Sequence, residues 1–271
     1  MSNASELGAA IARLAPALPE FRPGEVWLAG AGPGILGCLT LEVIGALAVA
    51  DAVVFDALVD PAALRAAARA EQHFVGKRRG QPSTPQETIN DLLIRLARGG
   101  ARVLRLKGGD PNIFGRGGEE ALALARAGIP FRMLPGVTSA FGALADARIP
   151  ATKRGVSKAL ILATGHGAGT SDDLDWAALA RTGQPMVIYM GLAAIARIAE
   201  ALMQGGLPAS TPAAVIASAT TPDERILVAD LGAIAARVEA EGIRPPALIV
   251  VGAIVTLRDE LLALAHAEAS E

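Results

Sequence analysis

The alternation of short apolar runs with longer helical patterns is the feature of this sequence that most restricts its fold. Each run has the length of a strand, and a stretch long enough for a helix separates it from the next. Strands that alternate with helices predict a parallel sheet covered by helices. The first series of runs covers residues 25–30, 52–56, 73–77, 102–108 and 130–136.

A second series of apolar runs follows a polar stretch rich in turn residues. The second series covers residues 159–165, 185–191, 213–219 and 247–255. We therefore predict an α/β protein of two domains, each a mostly parallel sheet flanked by helices, with a ligand in the cleft between them. The predicted organisation is an N-terminal extension at 1–24 with a short helix, a domain at 25–147, a linker at 148–158, a domain at 159–260 and a tail at 261–271.

The composition of the chain restricts the kinds of molecule that it is expected to bind. Aromatic residues are only 3% of the chain and the net charge is −2, so extended nucleic-acid binding is disfavoured. The one cysteine excludes an internal disulfide, and the three histidines lack metal-ligand spacing, so no metal site is expected. Because no apolar stretch has the length of a membrane span and no signal peptide is evident, we expect a soluble cytoplasmic protein with no membrane partner.

The sequence GAGPG at 30–34 follows the first apolar run and precedes a helical pattern. Its glycines predict that something comes close to the backbone there. A dinucleotide fingerprint is incomplete, because Ile35 stands where a third glycine is needed and Pro33 has no backbone N–H. Asp56 has roughly the spacing of a ribose-binding acid, so a dinucleotide remains an alternative. A ligand with an adenosine-like body and no phosphate fits better, and a purely structural turn is also possible.

The segment RLKGGDPNIFGRGGEEALALARAG at 105–128 is unusually rich in turn residues for a connection between a strand and a helix. Arg116 and Glu119 lie three residues apart at the predicted helix start, where an ordinary ion pair is the simpler interpretation. Basic residues also occur at strand ends, turns and the linker, and their convergence would indicate a ligand with several carboxylates or phosphates. These residues are Lys77, Arg78, Arg79, Arg105, Lys107, Arg116, Lys153, Arg154 and Lys158.

Nine motifs in fixed order carry a resemblance to a known family. They are GAGPG, VVFDALV, FVGKR, PQETIN, RLKGGDPNIFGRGGEE, PGVTSA, IP-x-T-x-R, YMG and PPALIVVG, over about 25–258. The chain thereby resembles the uroporphyrinogen-III C-methyltransferases of the tetrapyrrole (corrin and siroheme) methyltransferase family. The resemblance implies a homodimer that transfers methyl groups from S-adenosylmethionine to C2 and C7 of uroporphyrinogen III, releasing S-adenosylhomocysteine and precorrin-2 for cobalamin or siroheme biosynthesis.

The resemblance also implies roles for individual residues. Asp56 and Lys77 match a proton acceptor and a proton donor, and Arg116, Glu119 and Arg154 match residues for substrate binding and proton removal. Because arginine is a poor base, we assign Arg116 to charge orientation and Glu119 or Asp56 to proton acceptance, with Lys77 also among the substrate-binding residues. The residues implied to bind the methyl donor are Pro33, Gly108, Gly109, Asp110, Ile113, Thr138, Ser139, Met190, Ala219, Pro246 and Ala247.

The chain departs from the family pattern at a few loop positions. Residues 35–38 replace an acid and a proline, Asn112 replaces an aromatic or apolar residue, and Lys153 replaces a histidine. Three alternatives therefore stay open: a methyltransferase of this fold acting on a later precorrin, a ribosomal RNA methyltransferase of related fold, and a tetrapyrrole-binding protein without full activity.

Overall fold

The computed structural model describes residues 3–76, 84–171 and 173–268, with side chains from 5 to 265. The chain divides into two units, the first ending at Ser139 and the second beginning at Ala140. The first unit ends at an earlier residue than the predicted first domain, which ends at residue 147. The predicted domain boundaries remain predictions. Within the described ranges, no helix is both long and apolar enough to cross a membrane.

The first unit contains a five-stranded sheet whose pairings are all parallel, in the order β3-β2-β4-β1-β5. This confirms the parallel sheet predicted from the first series of runs. Both central strands, β1 and β4, are buried at every position. The strands are β1 Val26–Gly30, β2 Ala52–Phe55, β3 Glu71–Phe74, β4 Val103–Lys107 and β5 Phe131–Leu134.

Helices cover both faces of this sheet. α2 begins where the Thr40 hydroxyl accepts a hydrogen bond from the Val43 N–H (3.3 Å), and its buried Leu47 belongs to the same apolar cluster as Leu104. On the other face, α4 buries apolar residues four positions apart, including Ile89 and Leu93. The helices of the first unit are α1 Asn3–Leu14, which confirms the expected N-terminal helix, α2 Leu41–Val49, α3 Pro61–Leu64, α4 Gln86–Arg98 and α5 Gly117–Arg126. The next helix, α6 Ser139–Asp146, begins at the last residue of this unit and continues in the second.

The second unit contains a mixed sheet, ordered β6-β7-β10-β8-β9. Only β6 and β7 pair in parallel, so this sheet differs from the mostly parallel one expected. β9 is missing from the predicted series; it forms a hairpin with β8, and only one of its positions is fully buried. The elements are β6 Ile161–Thr164, α7 Trp176–Arg181, β7 Met186–Tyr189, α8 Ile195–Gln204, β8 Pro212–Ala217, β9 Arg225–Asp230, α9 Ile234–Ala240, β10 Ala247–Val251 and α10 Leu257–Glu268.

The topology gathers the predicted site residues at one edge of each sheet. In the first sheet the strands are parallel, so the loops that follow β1, β2, β4 and β5 leave the same edge, where open α/β sheets bind ligands. In the second sheet, Tyr189 at the end of β7 pairs with Leu248, and Ala217 at the end of β8 pairs with Ala247. The residues after β7, after β8 and before β10 therefore share one edge.

Candidate active site

Three glycine loops of the first unit are in backbone contact at the carboxyl edge. A Cβ placed on Gly30 would lie 2.5 Å from the Gly109 oxygen and 2.6 Å from the Gly136 Cα, closer than real Cβ atoms approach. Gly32 and Gly109 also exchange two backbone hydrogen bonds, of 3.2 and 2.7 Å. The close approach that GAGPG predicted is therefore made, at Gly30, by the loops after β4 and β5.

Asp110 ties two of these loops together. One carboxylate oxygen accepts a hydrogen bond from the Asn112 N–H (2.7 Å), and the other accepts one from the Gly136 N–H (3.0 Å). A Cβ on Gly109 would lie 3.2 Å from the Ser139 hydroxyl oxygen, so the start of α6 belongs to the same neighbourhood. The structure thus brings together the predicted donor-binding residues Gly108, Gly109, Asp110, Thr138 and Ser139.

Left-handed backbone conformations occur in the predicted site loops. Such conformations cost about 1–3 kcal/mol at non-glycine residues and are concentrated at functional sites. In the first unit they follow β4, near the half-buried Ile113; in the second unit they follow β7 and flank Ala219. The residues are Phe114 (φ 52°), Arg116 (φ 60°), Met190 (φ 52°), Ser218 (φ 47°) and Thr220 (φ 65°), besides Arg148 (φ 55°) after α6.

The predicted donor-binding residues of the second unit share its sheet edge. Met190 follows β7 and is 54% exposed, and Ala219 follows β8. The Ser218 N–H donates a hydrogen bond to the Pro246 carbonyl (2.9 Å), which links the loop after β8 to the start of β10 at Ala247. Contact between a methyl donor and these residues remains a prediction; they are Met190, Ala219, Pro246 and Ala247.

Arg116 and Glu119 form a bidentate ion pair on the surface. The guanidinium donates hydrogen bonds of 2.8 and 2.6 Å to the two carboxylate oxygens, and both side chains are more than half exposed. The hydrogen bond from Arg116 lowers the pKa of Glu119, and the same bond raises the pKa of Arg116. A lowered pKa makes Glu119 a weaker proton acceptor.

The neighbouring Glu120, which sequence reasoning missed, is fully buried. Its Oε1 accepts hydrogen bonds from Arg105 Nε (3.1 Å), Lys107 Nζ (3.1 Å) and Gln86 Nε2 (3.2 Å). Burial and the charge of Arg105 lower the pKa of Lys107, while the carboxylate of Glu120 opposes that shift. Arg105 and Lys107 are 2% and 6% exposed, so the expectation that they serve as surface counter-charges for an anionic ligand is wrong.

A signal for this buried cluster exists in the sequence. Arg105 and Lys107 alternate with Leu104 and Leu106 in a strand predicted to lie inside a parallel sheet, where charged side chains need partners. Glu120 lies four residues before the buried Leu124, on the inner face of α5.

Of the other predicted polar residues, Asp56 is the one whose contact with this cluster the structure describes. The Asp56 side chain is 26% exposed; its Oδ1 accepts a hydrogen bond from the Leu58 N–H (3.2 Å), and its Oδ2 lies 3.6 Å from Arg105 Nη2. Arg154 and Lys158 are exposed, and Lys153 lies 3.8 Å from Glu260. Lys77, Arg78 and Arg79 lie outside the described residues. Within the described part of the chain, no three His, Cys, Asp or Glu side chains are grouped to hold a metal ion.

The two α/β units and the glycine loops at a carboxyl edge agree with the class of protein to which a family model assigns this chain. Residues 25–235 match the family model of the Tetrapyrrole (Corrin/Porphyrin) Methylases, and the chain belongs to this family. The predicted family and the predicted fold class are both confirmed, and the chain is a methyltransferase of the tetrapyrrole methylase family.

Its relatives include two siroheme synthases. That of Azotobacter vinelandii is 48% identical over 92% of this chain and 54% of the relative, and that of Chromobacterium violaceum is 47% identical over 89% and 51%. The chain thus spans about half the length of these relatives. Among solved structures, a uroporphyrin-III C-methyltransferase from Thermus thermophilus, complexed with S-adenosylhomocysteine, has a TM-score of 0.73 at 38% identity over 86% of this chain and 99% of that one. A cobalt precorrin-4 methyltransferase, at 24% identity over 86% of this chain and 96% of that one and a TM-score of 0.76, shares the fold.

Proposed function

We propose that the chain transfers methyl groups from S-adenosylmethionine to C2 and C7 of uroporphyrinogen III, giving precorrin-2 for siroheme or cobalamin biosynthesis. Family membership supports methyl transfer to a tetrapyrrole, and the Thermus thermophilus relative supports both the donor and the substrate. The siroheme synthases support the pathway. The homodimer and the cytoplasmic location remain predictions.

The observation that carries the choice of donor is the use of backbone N–H groups in the glycine loops. The Ala31 N–H donates to the carbonyl of Lys107 at the end of β4 (2.7 Å), Gly32 and Gly109 donate to each other's carbonyls (3.2 and 2.7 Å), and the Gly136 N–H donates to Asp110. Pro33 has no N–H to offer. A pyrophosphate needs such groups, so these loops suit an adenosyl ligand without phosphate better than a dinucleotide.

S-adenosylmethionine supplies a methyl group on a positively charged sulfur, which an electron-rich carbon can take. The chain has to hold the two reactants close together and to accept the proton that the methylated carbon releases. Asp56 lies at the carboxyl edge of the first sheet, directly after β2, and its side chain is partly exposed. We assign proton acceptance to Asp56 rather than Glu119, whose carboxylate is already held by Arg116.

The positive charges of Arg116 and Arg154 support their predicted role in substrate binding. Arg116 keeps its positive charge at all working pH values, and together with the exposed Arg154 it could pair with substrate carboxylates. Uroporphyrinogen III carries eight such carboxylates. Lys77 stays our candidate for the proton donor and for substrate binding, on the resemblance alone.

Incubation of the protein with uroporphyrinogen III and S-adenosylmethionine should give a tetrapyrrole with two added methyl groups. Mass spectrometry of the product and quantification of released S-adenosylhomocysteine measure this result. Precorrin-2 as the starting tetrapyrrole is the matched control and should remain unmethylated. Methylation of precorrin-2 but not of uroporphyrinogen III would assign the chain to a later step, and binding without S-adenosylhomocysteine release would leave a tetrapyrrole-binding protein.

Asp56→Asn should lower kcat by about 10²- to 10⁴-fold, the usual contribution of a general base. The affinity for S-adenosylhomocysteine, measured by calorimetry, should stay unchanged because the amide keeps the shape of the carboxylate. Asp91→Asn, at an exposed position of α4, provides the control. If Glu119→Gln loses turnover and Asp56→Asn does not, the proton acceptor is Glu119.

A further inference from the structure

A group of four charged side chains extends from the core of the first unit to the carboxyl edge. Asp56 follows β2, Arg105 and Lys107 are on β4, and Glu120 is on α5. Around them lies an apolar cluster that includes Val54 of β2 and residues of α4 and α5. Buried ion pairs are seldom more stable than well-packed apolar residues of the same volume, so their presence asks for another reason.

The Arg105 guanidinium is fixed on three sides. Its Nε donates to Glu120 (3.1 Å), and its Nη1 donates to the carbonyls of Val54 (3.3 Å) and Leu106 (3.2 Å), which belong to the adjacent strands β2 and β4. The remaining nitrogen, Nη2, lies 3.6 Å from the Asp56 carboxylate. Of these three acceptors, only the one at Nε is a side chain, so Glu120 is the partner that a substitution can remove without changing the backbone.

Asp56 is the member of the group that reaches solvent. Its side chain is 26% exposed, whereas those of Arg105, Lys107 and Glu120 are 3%, 7% and 0% exposed. Two positive and two negative charges balance in the group. A substrate can therefore contact the Asp56 carboxylate, whose cationic partner Arg105 is buried and bonded to Glu120.

We propose that Glu120 is a positioning residue for Asp56: it orients Arg105, neutralises Lys107 and thereby holds the Asp56 carboxylate where it accepts the substrate proton. This inference rests on the proposed function of Asp56. Glu120 itself does not touch the substrate. Among the residues that the structure describes, Gln86 of α4 also donates to this oxygen of Glu120 (3.2 Å).

Two double variants with the same charge separate orientation from charge balance. Glu120→Gln with Lys107→Met keeps an amide oxygen that can accept from Arg105 Nε, whereas Glu120→Met with Lys107→Met removes it. Both remove one positive and one negative charge and keep similar side-chain volumes. The glutamine variant should keep most of the wild-type kcat, and the methionine variant should lose kcat on the order of 10²-fold, as expected for a misplaced catalytic group. The KM for S-adenosylmethionine and the affinity for S-adenosylhomocysteine should be the same in both.

Equal kcat values in the two double variants would overturn the proposal. So would a loss of S-adenosylhomocysteine affinity in the methionine variant that matches its loss of kcat, because the role would then be structural. Should the methionine variant not fold, Glu120→Asp keeps the charge and withdraws the oxygens by one methylene, and an unchanged kcat there also overturns the proposal. A wild-type protein that fails to methylate uroporphyrinogen III refutes the proposed function, whereas equal rates in double variants of an active enzyme refute the positioning role alone.

Discussion

Gly136→Ala is expected to abolish binding of S-adenosylhomocysteine and to destabilise the first unit. The new Cβ would meet the Gly109 carbonyl oxygen and lie 2.7 Å from the Gly30 Cα, and both contacts are with backbone that cannot rotate away. Overpacking costs about 1–3 kcal/mol even where side chains can adjust, so the free energy of unfolding should fall by at least that amount. Denaturant titration and calorimetry with S-adenosylhomocysteine measure the two effects.

Gly8→Ala is the matched control for this substitution. Gly8 lies inside α1, and a Cβ there would meet no atom within 4 Å. Alanine is favoured over glycine inside a helix by about 0.5–1 kcal/mol, so the stability should not fall. Wild-type S-adenosylhomocysteine affinity in Gly136→Ala would show that the glycine loops can separate without loss of the donor site.

Glu120→Leu should lower the free energy of unfolding by about 3–5 kcal/mol, the usual cost of removing one partner from a buried ion pair. The substitution leaves Arg105 and Lys107 buried without the carboxylate that both contact at 3.1 Å. Because Glu120 opposes the lowering of the Lys107 pKa, its removal lowers that pKa further. Guanidinium titrations of the variant and the wild type measure the difference.

The difference in free energy of unfolding between the wild type and Glu120→Leu should decrease as the pH rises toward 10.5, the ordinary pKa of lysine. A lysine whose pKa is lowered in the folded state binds fewer protons there than in the unfolded state, so stability rises with pH between the two pKa values. Glu87→Gln, at an exposed position in the first turn of α4, should change stability by less than about 0.5 kcal/mol at every pH. A Glu120→Leu deficit that is small and independent of pH would mean that Lys107 is not held by Glu120.

The first sheet could be predicted from sequence because its central strands are buried on both faces. β1 is a continuous apolar run between turn residues, β4 is a short run interrupted by Arg105 and Lys107, and the helical patterns between the runs require parallel connections. The glycine motifs correctly predicted a close backbone approach. Their partners could not be predicted from local sequence, because only the order β4-β1-β5 places the loops of Gly30, Gly109 and Gly136 side by side.

Two features of the molecule could not be predicted from the sequence and are visible only in the structure. Glu119 and Glu120 are adjacent at the start of α5, and the rotation of that helix decides that one is exposed and the other fully buried. The directions of the strands in the second sheet depend on connections rather than on composition. The loop at 218–224 makes β8 and β9 an antiparallel hairpin, although the sequence predicted no strand between residues 219 and 247.

The mutual contact of the three glycine loops also determines where this enzyme can be redesigned. Gly32 and Gly109 are joined by paired backbone hydrogen bonds, so an insertion at either one would shift both loops at once. Ile35 and Leu36, at 51% and 42% exposed, lie just beyond these paired hydrogen bonds. Cys38 packs against Gly32, where an added Cβ would lie 2.9 Å from the Cys38 Cβ, so combinatorial libraries belong at Ile35 and Leu36 rather than at Cys38.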